Sequence, residues 1–171
     1  MDLKDILLNS EDWQNIAVSY VSASKPRFSQ LMDCFYLGDF RLSHRATLII
    51  LQVIPTKPRW VAEQIPRMAS TLKKELPDWY KRNLLRILQY QKIPEKQWGH
   101  VADQCFNYLA SFDEPVAIKV FSMTVLYNLT RDLPDLAKEL RFLIEEQYPL
   151  GSAGFKARGR KILSQLDKDG H

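Results

Sequence analysis

Cysteine and histidine are scarce in this sequence, and neither forms a cluster. The two cysteines, Cys34 and Cys105, stand singly in apolar surroundings and do not form a C-x-x-C pair. The three histidines are scattered along the chain at His44, His100 and His171. This spacing argues against a zinc site and predicts two buried free thiols in a reducing compartment.

Long apolar runs are also missing. The longest nearly apolar stretch, "TLIILQVI", has eight residues and contains a glutamine, whereas a membrane-spanning helix needs about 20. The first residues, "MDLKDILLNSEDW", carry acids where a signal peptide needs a basic start. We therefore expect a cytoplasmic protein that does not contact a membrane.

Signals for β-structure are absent, and helical periodicity takes their place. No segment combines strand-type alternation with a hairpin turn such as Asn-Gly. Apolar side chains instead recur at helical spacing, as in "FSQLMDCFYL", and the six glycines and nine prolines fall mostly between such segments. No low-complexity linker interrupts the pattern. The 171 residues are therefore predicted to form one all-α domain.

Four segments of the chain align on a final leucine. They are "DFRLSHRATLIIL", "LPDWYKRNLLRIL", "EPVAIKVFSMTVL" and "GSAGFKARGRKIL". Their leucines are separated by 37, 38 and 37 residues and are Leu51, Leu88, Leu126 and Leu163. A fixed period of this length, with two helices in each unit, is typical of a helical solenoid.

The aligned segments resemble the second helix of HEAT repeats. That helix has an acid–proline start, an aliphatic–basic pair, a small residue and a leucine. The third segment fits best, and the residues that match are Glu114, Pro115, Ile118, Lys119, Ser122 and Leu126. The resemblance implies a right-handed α–α superhelix of antiparallel helix pairs.

The boundaries of the repeats follow from the same alignment. About four helix pairs are expected over residues 26–168. Residues 1–25 do not align with the repeats, and they are predicted to form an irregular N-terminal cap with helices near 2–9 and 11–23.

A basic or imidazole side chain stands seven residues before each leucine. We call these four residues the ladder: His44, Lys81, Lys119 and Lys156. Seven residues are close to two helical turns, so the ladder borders the packing seam. The resemblance implies that ladder residues bond an acid or a helix end of the same or a neighbouring repeat. Contact with a ligand is the alternative.

A second set of side chains points away from the leucines, toward the surface that successive second helices share. The candidate partner-binding residues on this surface are Arg41, Arg45, Arg82, Arg86, Val116, Val120, Phe121, Arg158 and Lys161. Arginines along such a concave surface can bind an acidic peptide or a phosphate backbone, although charged helix faces are often only solvated. The apolar centre at Val116, Val120 and Phe121 is either an exposed protein contact or the buried middle of a curved array.

The glycine-rich stretch "PLGSAGFKARGRKIL" is the segment that most invites a catalytic interpretation. It lacks the G-x-x-x-x-G-K-[ST] spacing of a phosphate loop and follows a predicted helix, not a strand. Of the G-S-S-x-M-P-x-K-x-N-P loop in the fumarase/aspartase superfamily, only Gly151 and Ser152 match. HEAT-like DNA glycosylases use aromatic and acidic residues near the position of Asp78 and Trp79, but this chain is short for that family.

The functional expectation is a non-enzymatic scaffold or adaptor that binds a protein partner through its second-helix surface. No cofactor, metal or small-molecule substrate is indicated. The alternative is a nucleic-acid-binding module, because the formal net charge of +4 permits an anionic partner. The residues of that alternative are Arg41, Arg45, Arg82, Arg86, Arg158 and Lys161.

Overall fold

The computed structural model describes residues 2–73 and 75–171. Over these residues the chain forms eleven α-helices and one 3-10 helix, and it forms no strand. The helices pack into two compact units, one ending at Ile65 and the other comprising Pro66–His171. The prediction of an all-α chain is confirmed. The expected single domain, with a cap over 1–25 and helix pairs over 26–168, and the right-handed twist stay predictions.

The first unit contains five helices. They are α1 (Leu3–Asn9), α2 (Trp13–Ser22), α3 (Lys25–Leu37), α4 (Phe40–Val53) and α5 (Pro58–Ala62). Aspartates cap two of them: a carboxylate oxygen of Asp2 accepts from the Lys4 N–H at 3.2 Å, and one of Asp39 accepts from the Leu42 N–H at 2.9 Å. Helices α1 to α4 pack on one another around a fully buried apolar core. Helices α1 and α2 lie where the sequence predicts two cap helices.

The second unit holds the remaining helices. They are α6 (Ile65–Thr71, which begins at the last residue of the first unit), α7 (Asp78–Leu88), a 3-10 helix (Glu95–Gln97), α8 (Trp98–Ala110), α9 (Val116–Thr130), α10 (Leu136–Gln147) and α11 (Ala153–Lys168). Helices α4, α7, α9 and α11 correspond to the four aligned segments. The repeat period therefore places all four second helices correctly.

Helix α9 is the centre of the second unit. It packs against α7, α8, α10 and α11, and apolar residues occur all around it. Ile118, Met123, Leu126 and Leu129 are all buried. A helix that is apolar on every side is stable only when other helices cover it.

The first helix of the second repeat is broken, which the repeat pattern did not predict. In its place lie the short helices α5 and α6, separated at Glu63 and Gln64. The proline at position 66 has no N–H to donate to the carbonyl of Ala62, so a continuous helix loses a hydrogen bond there.

Gly159 lies on the face of α11 that contacts α10. A Cβ atom at this position would lie 3.0 Å from Cγ2 of Ile144 and 3.5 Å from Cδ2 of Tyr148. The helix position that corresponds to the small residue of the repeat pattern therefore has no room for a branched side chain.

We expect Gly159→Leu to lower the free energy of unfolding by about 2 kcal/mol, because the added side chain overpacks the contact between α10 and α11. Gly154→Ala is the matched control in the same helix, since its Cβ would meet only Cγ1 of Val116 at 3.6 Å. Urea unfolding followed by circular dichroism measures both variants. Equal midpoints for the two variants would contradict the packing argument.

Candidate interaction surface

The ladder residue Lys81 joins α7 to the turn before α9. Its side chain is 5% exposed, and its Nζ lies 2.6 Å from Oε1 of Glu114 and 3.0 Å from Oδ1 of Asp78. Burial lowers the pKa of Lys81, but hydrogen bonds to the two carboxylates outweigh this effect and the pKa is raised. Lys81 is thus charged and is bonded within the protein.

Lys119 forms a different connection one repeat later. Its Nζ donates to Oε1 of Gln147 at 2.7 Å, and Nε2 of Gln147 donates to the backbone oxygen of Leu109 at 2.8 Å. The relay connects α9 to the last turns of α10 and α8. Burial lowers the pKa of Lys119, and the charges of Glu114 and Asp113 oppose that shift only in part. The acceptor for Lys119 is thus the neutral amide of Gln147, whereas the acceptor for Lys81 is the carboxylate of Glu114.

The other two ladder residues are less engaged. The ring of His44 stacks on that of Phe40 with centroids 6.1 Å apart, while its Nδ1 is buried without a hydrogen-bond partner among the described atoms. Lys156 is half-buried. As a set of four, the structural ladder stays a prediction.

Two of the candidate arginines bond to helix α1. Nη2 of Arg41 donates to the backbone oxygen of Leu8 at 3.1 Å, and Nη1 of Arg45 donates to that of Leu7. The Arg45 guanidinium also lies 4.7 Å from the ring centroid of Trp13. Carbonyl groups in the last turn of a helix lack partners within that helix, and these arginines supply them. Both guanidinium groups are therefore bound within the first unit.

In the second unit, α9 lies between the second helices α7 and α11. Arg82 and Arg86 are half-buried on α7, one turn apart. Among residues 75–171, neither guanidinium has an ion pair or a hydrogen bond. A guanidinium group has five N–H donors, so among the described residues this pair keeps hydrogen-bonding capacity for a partner.

On α11, Arg158 is bound within the protein and Lys161 is not. Nη1 of Arg158 lies 3.2 Å from Oε1 of Gln89 and 3.3 Å from the backbone oxygen of Val120, and it also donates to Oγ1 of Thr124. This guanidinium therefore joins three second helices. Lys161 is exposed and forms no ion pair with any residue that the structure describes.

The apolar centre on α9 is partly open. Val116 is 41% exposed, and Val120 and Phe121 are half-buried. The apolar centre is therefore neither a fully exposed contact surface nor a fully buried core, which were the two alternatives from the sequence. We call the following set the α7–α9–α11 surface: Arg82, Arg86, Val120, Phe121 and Lys161.

The glycine-rich loop serves to begin helix α11. Oγ of Ser152 accepts a hydrogen bond from the Phe155 N–H at 3.3 Å, and Phe155 is buried. Within the described residues, no group of three or more His, Cys, Asp or Glu is placed to hold a metal ion. No described helix is both long enough and apolar enough to span a membrane.

Two exposed apolar residues escaped the sequence analysis. Phe112 is 86% exposed and Leu150 is 97% exposed, and each lies in a turn that precedes a second helix. The signal available in the sequence was a large apolar side chain within a predicted turn. Both residues line one cavity, together with Val116.

We expect Lys81→Met to lower the free energy of unfolding by about 3 kcal/mol, because it leaves the largely buried Glu114 carboxylate without its cation. Lys138→Met, on the exposed face of α10, is the control and should change the stability by less than about 0.5 kcal/mol. Chemical denaturation gives both values. A near-neutral Lys81→Met would show that this ion pair adds no net stability.

Both cysteines are free and buried, as the sequence predicts. Burial raises the pKa of the Cys105 thiol from 9.0 to about 12. The stability that this raised pKa contributes is fully present below pH 9 and is lost as the pH rises toward 12. We expect the wild-type protein to lose about 1 kcal/mol more than Cys105→Ala between pH 8 and pH 10, as measured by urea unfolding. Parallel losses in the two proteins would contradict this assignment.

Comparison with known proteins agrees with the helix pairing. The family model of the HEAT repeat domain matches residues 6–166, which is most of the chain. Searches among curated proteins and among solved structures found no match. The extent of the family match, together with four second helices at a constant period, shows that this chain belongs to the HEAT repeat family.

Proposed function

We propose that this protein is a non-enzymatic scaffold that binds an acidic segment of a partner protein on the α7–α9–α11 surface. The observation that carries the proposal is the pair Arg82 and Arg86, which are half-buried on α7 and whose guanidinium groups form no ion pair with any residue in 2–73 or 75–171. Arginine forms bidentate hydrogen bonds with carboxylates, and two arginines one turn apart suit a peptide with two or more acids. The cytoplasmic location that we propose agrees with the two free thiols.

The apolar residues on the neighbouring helix α9 favour a protein partner. Val120 and Phe121 are half-buried, so a bound chain could cover the remaining apolar surface. Protein interfaces typically combine such an apolar centre with arginine, and aromatic and arginine side chains dominate their binding energy. A peptide that carries both acids and an apolar side chain would use both features.

Nucleic acid fits this surface less well. Arg41, Arg45 and Arg158 already donate to protein groups. Of the six cations that this alternative requires, three remain: Arg82, Arg86 and Lys161. Few phosphate contacts release few counterions, so the electrostatic contribution to binding is small.

The test is the charge reversal Arg82→Glu with Arg86→Glu. We expect it to weaken binding of an acidic partner at least tenfold, since two charge-assisted hydrogen-bonded pairs become repulsive. Lys138→Glu with Lys168→Glu makes the same change in net charge at exposed positions outside this surface. Quantitative pull-downs with each variant identify the captured proteins, and titration calorimetry with each purified partner measures the affinity.

Partners captured equally by both double variants would contradict the proposed surface. Binding of labelled duplex DNA or single-stranded RNA at low salt, measured by fluorescence anisotropy, would favour the nucleic-acid alternative if Arg82→Glu with Arg86→Glu abolished it. Circular dichroism shows whether each variant keeps its helix content.

A further inference from the structure

A second candidate site lies at the turns between first and second helices in the Pro66–His171 unit. A cavity of about 380 Å³ opens between the turn that joins α8 to α9 and the turn that joins α10 to α11. Its apolar lining is Phe112, Val116, Leu150 and Phe155. We call it the turn cavity.

The apolar side chains of the turn cavity are unusually exposed. Phe112 and Leu150 are 86% and 97% exposed, and Val116 beside them is 41% exposed. Single exposed apolar residues are ordinary, but three that line one concavity form a patch of the kind that marks a contact site. This patch can hold a large apolar side chain of a partner.

The charged groups of the turn cavity define what else the partner carries. Lys119 already donates to Gln147, and Oε1 of Glu114 already pairs with Lys81. Oε2 of Glu114 is buried without a hydrogen-bond partner among the described atoms. Glu146, on the same lining, is exposed and forms no ion pair within residues 75–171.

The balance of charge here is negative. Glu114 is paired with Lys81, so the carboxylates that remain are Glu146 on the lining and the exposed Asp113 next to it on the turn, against Lys119. Carboxylate oxygens can only accept hydrogen bonds, so the unused capacity suits a donor. The α7–α9–α11 surface of the same unit has the opposite sign.

We propose that the turn cavity binds a peptide segment that carries a large apolar side chain close to a lysine or arginine. The apolar side chain packs between Phe112 and Leu150, and the cation pairs with the exposed carboxylate of Glu146. This contact goes beyond the proposed function, because it involves other residues and a partner segment of opposite charge.

Selection from a phage-displayed library of random peptides tests the site without a known partner. We expect the wild-type protein to enrich peptides that have Leu, Phe or Trp close to Lys or Arg. Phe112→Ser with Leu150→Ser should lose this enrichment and weaken binding of a selected synthetic peptide at least tenfold, as measured by fluorescence polarisation. Both side chains are exposed, so the fold should survive, which a thermal melt verifies.

Matched variants separate this site from other surfaces. Phe142→Ser removes another exposed phenylalanine, which is 61% exposed on α10 and does not line the turn cavity, and it should keep full affinity. Glu146→Lys should weaken the basic peptide about tenfold and bind a version in which glutamate replaces the cation. Arg82→Glu with Arg86→Glu should leave this peptide bound, whatever its effect on the acidic partner.

Several results would overturn the proposal. The first is a selection that enriches no peptide, or only acidic peptides. The second is a selected peptide that binds Phe112→Ser with Leu150→Ser as tightly as the wild-type protein. The third is a Phe142→Ser variant that loses as much affinity for this peptide as Phe112→Ser with Leu150→Ser. Sedimentation that shows a wild-type dimer broken by Phe112→Ser with Leu150→Ser would assign the patch to a second copy of this chain instead.

Discussion

The second unit depends on the need to cover helix α9. This helix carries apolar side chains on nearly every side, so most of its surface must be shielded from water by other helices. Helices α7, α8, α10 and α11 provide that cover. The requirement brings the two neighbouring second helices, α7 and α11, against α9.

Polar bonds inside this packing determine how the neighbours align. Lys81 reaches Glu114, and Lys119 reaches Gln147, in each case across a repeat boundary. Hydrophobic burial alone is not directional, whereas a buried ammonium group must meet its acceptor at hydrogen-bond distance. Apolar contact therefore stabilises the packing of the helices, and the two lysines restrict how neighbouring repeats align along it.

The sequence was sufficient for features that repeat and insufficient for features that occur once. The leucine period located α4, α7, α9 and α11, because each repeat must bury the same seam. The bonds of Arg41 and Arg45 to α1, and those of Arg158 to α7 and α9, arise from tertiary contacts that no helical period encodes. For the same reason the sequence identified the candidate cations, but it could not show which of them bond to other groups of the protein.

The reach of Arg158 affects how this unit unfolds. In a simple solenoid each repeat contacts only its nearest neighbours, and stability is a sum of local terms. Here a side chain of α11 bonds Gln89 at the end of α7, 69 residues earlier, and Asn128 of α9 donates to the backbone oxygen of the same glutamine. Fraying of the last repeat thus removes a hydrogen bond from a repeat two positions away. The stability of α7 therefore depends in part on α11, and not only on its nearest neighbour α9.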